Sequence, residues 1–176
     1  MEWLSEGANS WQLTAATLVG LMSIPGLVVL YGGVMQKRWS VNSMMMAFVA
    51  FAVVLILWCL FAFKMAFGVP IHAISDSGFL GNFWGKPGSI LSSSSLLEQA
   101  HIPEYPELEL AFPESTLAYF QIVFAAITPL LMLGSVLGRI NFKAWIPFVA
   151  LWTLLIYTIN AFMIWGGGFF AQQGAL

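Results

Sequence analysis

No charged residue lies between Glu6 and Lys37, none between Trp39 and Phe63, none between Glu114 and Arg139, and none after Lys143. Uncharged runs of this length constrain the fold more than any motif in the chain. A bilayer core takes about 20 predominantly apolar residues to cross, and a helix is the form in which a single segment satisfies its own backbone there. Four segments meet that test, so spanning helices are predicted over about 11–35, 42–67, 117–137 and 144–165. Three consecutive glycines, Gly166 to Gly168, break the last one just after Trp165. The expected fold class is all-α, a polytopic transmembrane helical bundle.

Composition agrees. Hydrophobic residues make up 60% of the chain and charged residues 8%, against about 25% charged in soluble domains. The 6 Lys and Arg form no basic stripe, which argues against a nucleic-acid partner. Cys59 stands alone, which leaves no intrachain disulfide or thiolate metal cluster. Glu2 and Glu6 occupy the place where a secretory signal carries basic residues, so the first apolar run is read as a retained span.

Charge also sets direction. Short loops rich in Lys and Arg stay cytoplasmic, and Lys37, Arg38, Arg139 and Lys143 fall in two such loops. All 8 acidic residues fall elsewhere: Glu2, Glu6, and six from Asp76 to Glu114. The N-terminus, the long loop 69–114 and the C-terminal tail are therefore expected outside. That loop, with "SSSS" and "IPEYPELELAFPES", is too polar to span; it reads as an irregular connection with a short re-entrant or surface turn.

Ionisable groups at membrane depth are costly and usually functional. Lys64, near the end of the second helix, is expected to snorkel to the interface rather than serve a pathway. His72 and His101 read as solvated loop histidines, since no Cys, further His or spaced carboxylates accompany them as metal ligands or relay. No nucleophile with a base, phosphate-binding loop or metal signature is present, so neither enzyme chemistry nor a cofactor is expected.

Aromatic and small residues remain. Phe120 and Phe124, four apart, share one face of the third helix near its outer end, and Trp165 closes the fourth on the same side. A ring face attracts a cation by roughly 0.5–1 kcal/mol when exposed and about 2 kcal/mol when desolvated. An outer mouth lined by Trp165, Phe124 and Phe120 could therefore draw a small cation. The same residues also fit an interfacial aromatic belt and ordinary lipid-facing surface. Pro25 and Pro129 predict kinks in the first and third helices, and Gly32 and Gly33 a close approach. Gly134 and Gly138 form a G-x-x-x-G packing face. Tyr31 fits either an inner vestibule or the interface.

The phrases "SIPGLVVLYGG", "WSVNS", "KMAFG", "YFQIVFAAIT", "GSVLGRINFKAW" and "WGGGF" resemble, in order and spacing, the first half of ammonium transporters, the family that includes methylammonium permeases and Rhesus glycoproteins. The likeness covers most of the chain except loop 69–114. The loop leading into "STLAYFQ" most resembles the branch found in plants and related bacteria. This resemblance implies a plasma-membrane homotrimer of eleven-helix subunits, each with its own pore, built from two inverted five-helix repeats and one extra helix. Residues 1–176 would be the N-terminal part of that single domain. Ammonium or ammonia would be the substrate, with methylammonium as its analogue. By the same resemblance Trp165 matches the recruitment tryptophan, Phe124 the outer gate phenylalanine, Phe120 the neighbouring vestibule aromatic, and Tyr31 a residue near the inner end of the pore.

In that family an acidic residue and a fifth helix bearing the first pore histidine follow the "WGGG" stretch, whereas this sequence stops at Leu176. The second gate phenylalanine, the hydroxyl of the recruitment site and both pore histidines would lie beyond it. The expectation is a truncated transporter, not an active pore by itself. A tetraspan structural or interaction subunit that assembles with full-length membrane partners is the alternative, and a membrane enzyme ranks below both.

Overall fold

The structure is a computed structural model that describes residues 2–71, 80–91 and 94–174. Four long helices dominate it: α1 (Glu6–Val34), α2 (Lys37–Phe67), α3 (Glu114–Val136) and α4 (Phe142–Ile164). Their 23 to 31 residues correspond to roughly 35–47 Å, enough to cross a hydrocarbon core of about 30 Å. Among the described residues there are isolated backbone bridges but no strand. His72 and Leu176 lie outside the described residues.

Each helix begins earlier than its apolar run suggests, because caps and charged first turns sit beyond the hydrocarbon. Ser5 caps α1, its side chain accepting from the Ala8 N–H at 3.3 Å. Asn141 does the same for α4, taking the Ala144 N–H at 2.7 Å. The turn between α1 and α2 shrinks to Met35 and Gln36, closed by the Ser40 hydroxyl donating to the Gly32 carbonyl at 2.6 Å.

Three helices widen locally to π-type turns: Met22–Leu27 in α1, Trp58–Ala62 in α2 and Thr153–Tyr157 in α4. The first surrounds Pro25, where Ile24 leaves helical geometry at φ −130° and ψ 113°, so the kink expected in α1 is present. At Pro129 the helical assignment is unbroken: α3 continues through that residue to Val136, flanked by the fully buried Ala125, Ala126 and Leu130. Gly138 is no part of a helical packing face, since it follows the end of α3 at φ +74°. Gly134 does meet α1, but through the Tyr31 ring.

α2 touches all three other helices, and α1 packs mainly against α3 and the start of α2. Lipid supplies no hydrophobic drive between helices, so close packing and interhelical hydrogen bonds must hold them. Small residues permit the approach: Ala47, Ala50, Ala62 and Ala66 of α2 are all buried. Two tryptophans fasten it. Trp58 donates its Nε1–H to the Ala118 carbonyl at 3.1 Å, joining α2 to α3. Trp145 donates to the Met46 carbonyl at 3.0 Å, joining α4 to α2. Trp58 also sets edge-on contacts with Phe63, Phe67 and Tyr157.

The described parts of the connection between α2 and α3 are irregular but tied down. Ile90 N–H donates to the Cys59 carbonyl at 3.0 Å inside the wide turn of α2, and Gly85 N–H to the Met65 carbonyl at 2.9 Å. Ser5 N–H donates to the Ala111 carbonyl at 3.0 Å, which places the start of α1 at the same end of the bundle.

Trp145 is fully buried and Trp11 is 71% exposed. Trp145→Ala should lower resistance to denaturation in detergent by roughly 3–5 kcal/mol, and Trp11→Ala by less than about 0.5 kcal/mol. Equal losses in a denaturant titration of both variants would show that the α2–α4 clamp carries no special share.

Candidate functional site

The aromatic residues singled out by sequence fall into two separate places. Phe120 and Phe124 face each other along α3 with ring centroids 5.1 Å apart and planes tilted by 57°. Their i, i+4 spacing on an unbroken helix brings them together. Trp165 directly follows Ile164 and closes the final helical turn, Thr158–Trp165, which packs on the Phe63–Phe67 end of α2. Among the described residues no ring pair links Trp165 to Phe120 or Phe124, and its indole N–H has no hydrogen-bond acceptor. At 42% exposure the residue is partly open to its surroundings.

The three glycines after it end the helix, as their sequence suggests, but they are wedged and not loose. A Cβ on Gly166 would run into the Ala66 carbonyl oxygen of α2. Gly167 has φ +90°, and a Cβ there would lie 2.5 Å from Glu104 Cβ. At Gly168 it would lie 2.8 Å from the Asn82 carbonyl oxygen, which accepts the Phe169 N–H at 3.0 Å. Substitution at any of the three must displace backbone or a neighbouring chain.

Tyr31, expected in a vestibule or at the interface, is buried, and its hydroxyl donates to the Leu130 carbonyl at 2.6 Å. It ties α1 to α3. Lys64, expected to reach toward the interface, instead forms an ion pair with Glu114 at the start of α3, and its ammonium lies 5.7 Å from the Phe63 ring centre. The pair borders a cavity of about 310 Å³ that Lys86 and the exposed His101 also line. Among the described residues no group of His, Cys, Asp and Glu could hold a metal ion.

Sequence reasoning missed the tryptophans that hold the frame around these residues. Trp58 gave a signal, since it sits deep in its span instead of at an end where a belt tryptophan belongs. Trp145, just past Lys143, is indistinguishable from a belt residue. Trp84 lies in a segment without periodicity, yet donates to the Thr158 hydroxyl oxygen at 3.0 Å.

Residues 10–176 match the Ammonium Transporter Family. Ammonium transporter 2 of Arabidopsis thaliana is 51% identical over 175 residues, which cover 99% of this chain and 35% of that protein. Ammonium transporter 2 member 1 of Oryza sativa subsp. japonica is 49% identical over 180 residues, with the same two coverages. The crystal structure of Candida albicans Mep2 shares the fold at a TM-score of 0.69 and 24% identity, covering 98% of this chain and 34% of that one. The chain thus spans about a third of the length of the relatives it matches.

Lys64 and Glu114 side chains are 26% and 10% exposed, so removing either one takes a counter-charge from a poorly solvated ion. Lys64→Met and Glu114→Gln are each expected to cost about 1.5–3 kcal/mol, and the double variant less than their sum. Strict additivity in a denaturation cycle would show that the two groups are independent.

Proposed function

Because the chain belongs to the Ammonium Transporter Family, we propose that it is the N-terminal part of one transporter domain that carries ammonium or ammonia across a membrane. The whole assembly is then an eleven-helix subunit within a homotrimer at the plasma membrane. Methylammonium is its substrate analogue. The end bearing Glu2, Glu6 and Glu114 faces outside, and the turns with Lys37, Arg38, Arg139 and Lys143 face the cytoplasm.

Trp165 recruits the cation in this reading. The observation that carries it is the half-exposed indole at the acid-rich end, whose N–H has no acceptor among the described residues. Its quadrupole offers about 0.5–2 kcal/mol to a small cation as that cation loses water. Phe124 and Phe120, tilted against each other along α3, gate and line the entrance beyond it. Tyr31 lies near the inner end of the path, where it fixes α1 against α3.

Four helices do not close such a path. The most apolar stretch of α1 is 11% buried, against 56% for α3, which leaves α1 a long face for further helices to cover. Residues 1–176 alone are therefore not an active pore. That same face favours a second reading, a tetraspan subunit that inserts among full-length membrane partners; stable co-purification with a full-length transporter would support it.

A graft tests the first reading: residues 1–176 replace the matching third of the Arabidopsis relative in cells without their own ammonium uptake. The graft should restore uptake and the isolated chain should not. Trp165→Leu in the graft should raise the apparent KM by roughly 2- to 30-fold, the range that 0.5–2 kcal/mol implies. An unchanged KM removes the recruitment role, and uptake by the isolated chain overturns the account of an incomplete pore.

A further inference from the structure

Among the described residues no hydrogen bond or ring pair fixes the Trp165 indole, yet the backbone carrying it is gripped from two directions. On one side Gly166 lies against the Ala66 carbonyl of α2. On the other, the segment joining α2 to α3 straddles the tryptophan. Roughly two turns before it, Trp84 donates its Nε1–H to Thr158 Oγ1 at 3.0 Å. The Thr158 hydroxyl proton is committed to the Leu154 carbonyl at 2.6 Å, so its oxygen is left to accept. Thr158 is fully buried, which restricts that bond to one geometry. Just past the tryptophan, the Asn82 carbonyl takes the Phe169 N–H at 3.0 Å, and the Phe83 ring stacks on Phe169 with centroids 6.4 Å apart and planes within 10°. Glu104 covers Gly167 between these two grips.

The geometry points to Asn82–Trp84 as the positioning element of Trp165: by holding Thr158 and Phe169 on either side of it, this segment sets the direction in which the indole face is presented to an incoming cation. The inference rests on reading Trp165 as a recruitment residue. A cation gains from the ring only when it sits over the face within about 6 Å of the centre, so a small tilt of the α4 terminus changes affinity while leaving later steps alone. Gly166, Gly167 and Gly168 then serve close backbone approach on both sides, and the turn they make is a clamp and not a hinge. Substrate affinity is thereby coupled to a connecting segment that lines no part of the aromatic pair on α3.

The test uses the graft described above. Trp84→Phe keeps a ring and removes the donor, and Thr158→Val removes the acceptor from the other side at nearly constant volume. Each should raise apparent KM by roughly threefold or more with maximal rate within about twofold, a change within the range a cation–π contact spans. Combined with Trp165→Leu, neither should raise KM further, because both act through the same ring. A second readout is independent of transport: with 5-fluorotryptophan incorporated, the fluorine resonance lost in Trp165→Leu should shift or broaden in Thr158→Val and stay in place in Gly7→Ala, where a Cβ meets open space. An unmoved Trp165 resonance, or a double-variant KM equal to the product of the single effects, overturns the positioning role. A moved resonance with an unchanged KM in Trp165→Leu leaves the positioning intact and rejects recruitment instead.

Discussion

In hydrocarbon every backbone amide must find its partner within the protein, and this requirement organises the whole bundle. Regular helices meet it alone. Where α2 widens between Trp58 and Ala62, the Cys59 carbonyl instead accepts the Ile90 N–H at 3.0 Å and the Ser89 hydroxyl at 3.2 Å from the connecting segment. Elsewhere the donors come from aromatic side chains: Trp58 to Ala118, Trp145 to Met46, Tyr31 to Leu130. Each bond runs from one helix to a carbonyl of another, so satisfying the backbone and assembling the helices become one event. The cost of burying backbone in lipid thus explains both the four spans and the way they are tied together.

Charge is handled in the same way. Lys64 lies at the end of a span, where a long side chain could reach water, yet it pairs with Glu114 and so joins the last turn of α2 to the first of α3. The pair sits beneath the irregular segment, whose own backbone bonds to Met65 and Val69. The segment is therefore part of the frame. Its grip on both flanks of Trp165 makes the position of that half-exposed indole depend on residues remote from it in sequence.

How legible this was differs from residue to residue. Phe120 and Phe124 could be paired from their spacing alone, because a helix forces i and i+4 together. The break at Gly166–Gly168 was equally plain, but its purpose was not. Glycine in a sequence signals freedom, and whether that freedom serves bending or close contact depends on what lies opposite. Here Ala66, Glu104 and Asn82 lie opposite. Pro129 lies inside a helix assigned without a break, beside the fully buried Ala125, Ala126 and Leu130.

By itself, the sequence determined that four helices cross a membrane, which of their ends carry positive charge, and which family they belong to. Those properties follow from the cost of placing each residue in lipid and from ordered local phrases, both of which can be read along the chain. The tertiary structure alone decided where helices widen, which tryptophans clamp one helix to another, and what grips the backbone on either side of Trp165. Trp58 and Ala118 are 60 positions apart, and Trp145 and Met46 are 99 apart. Such bonds depend on which carbonyl a neighbouring helix presents, and no local pattern records that.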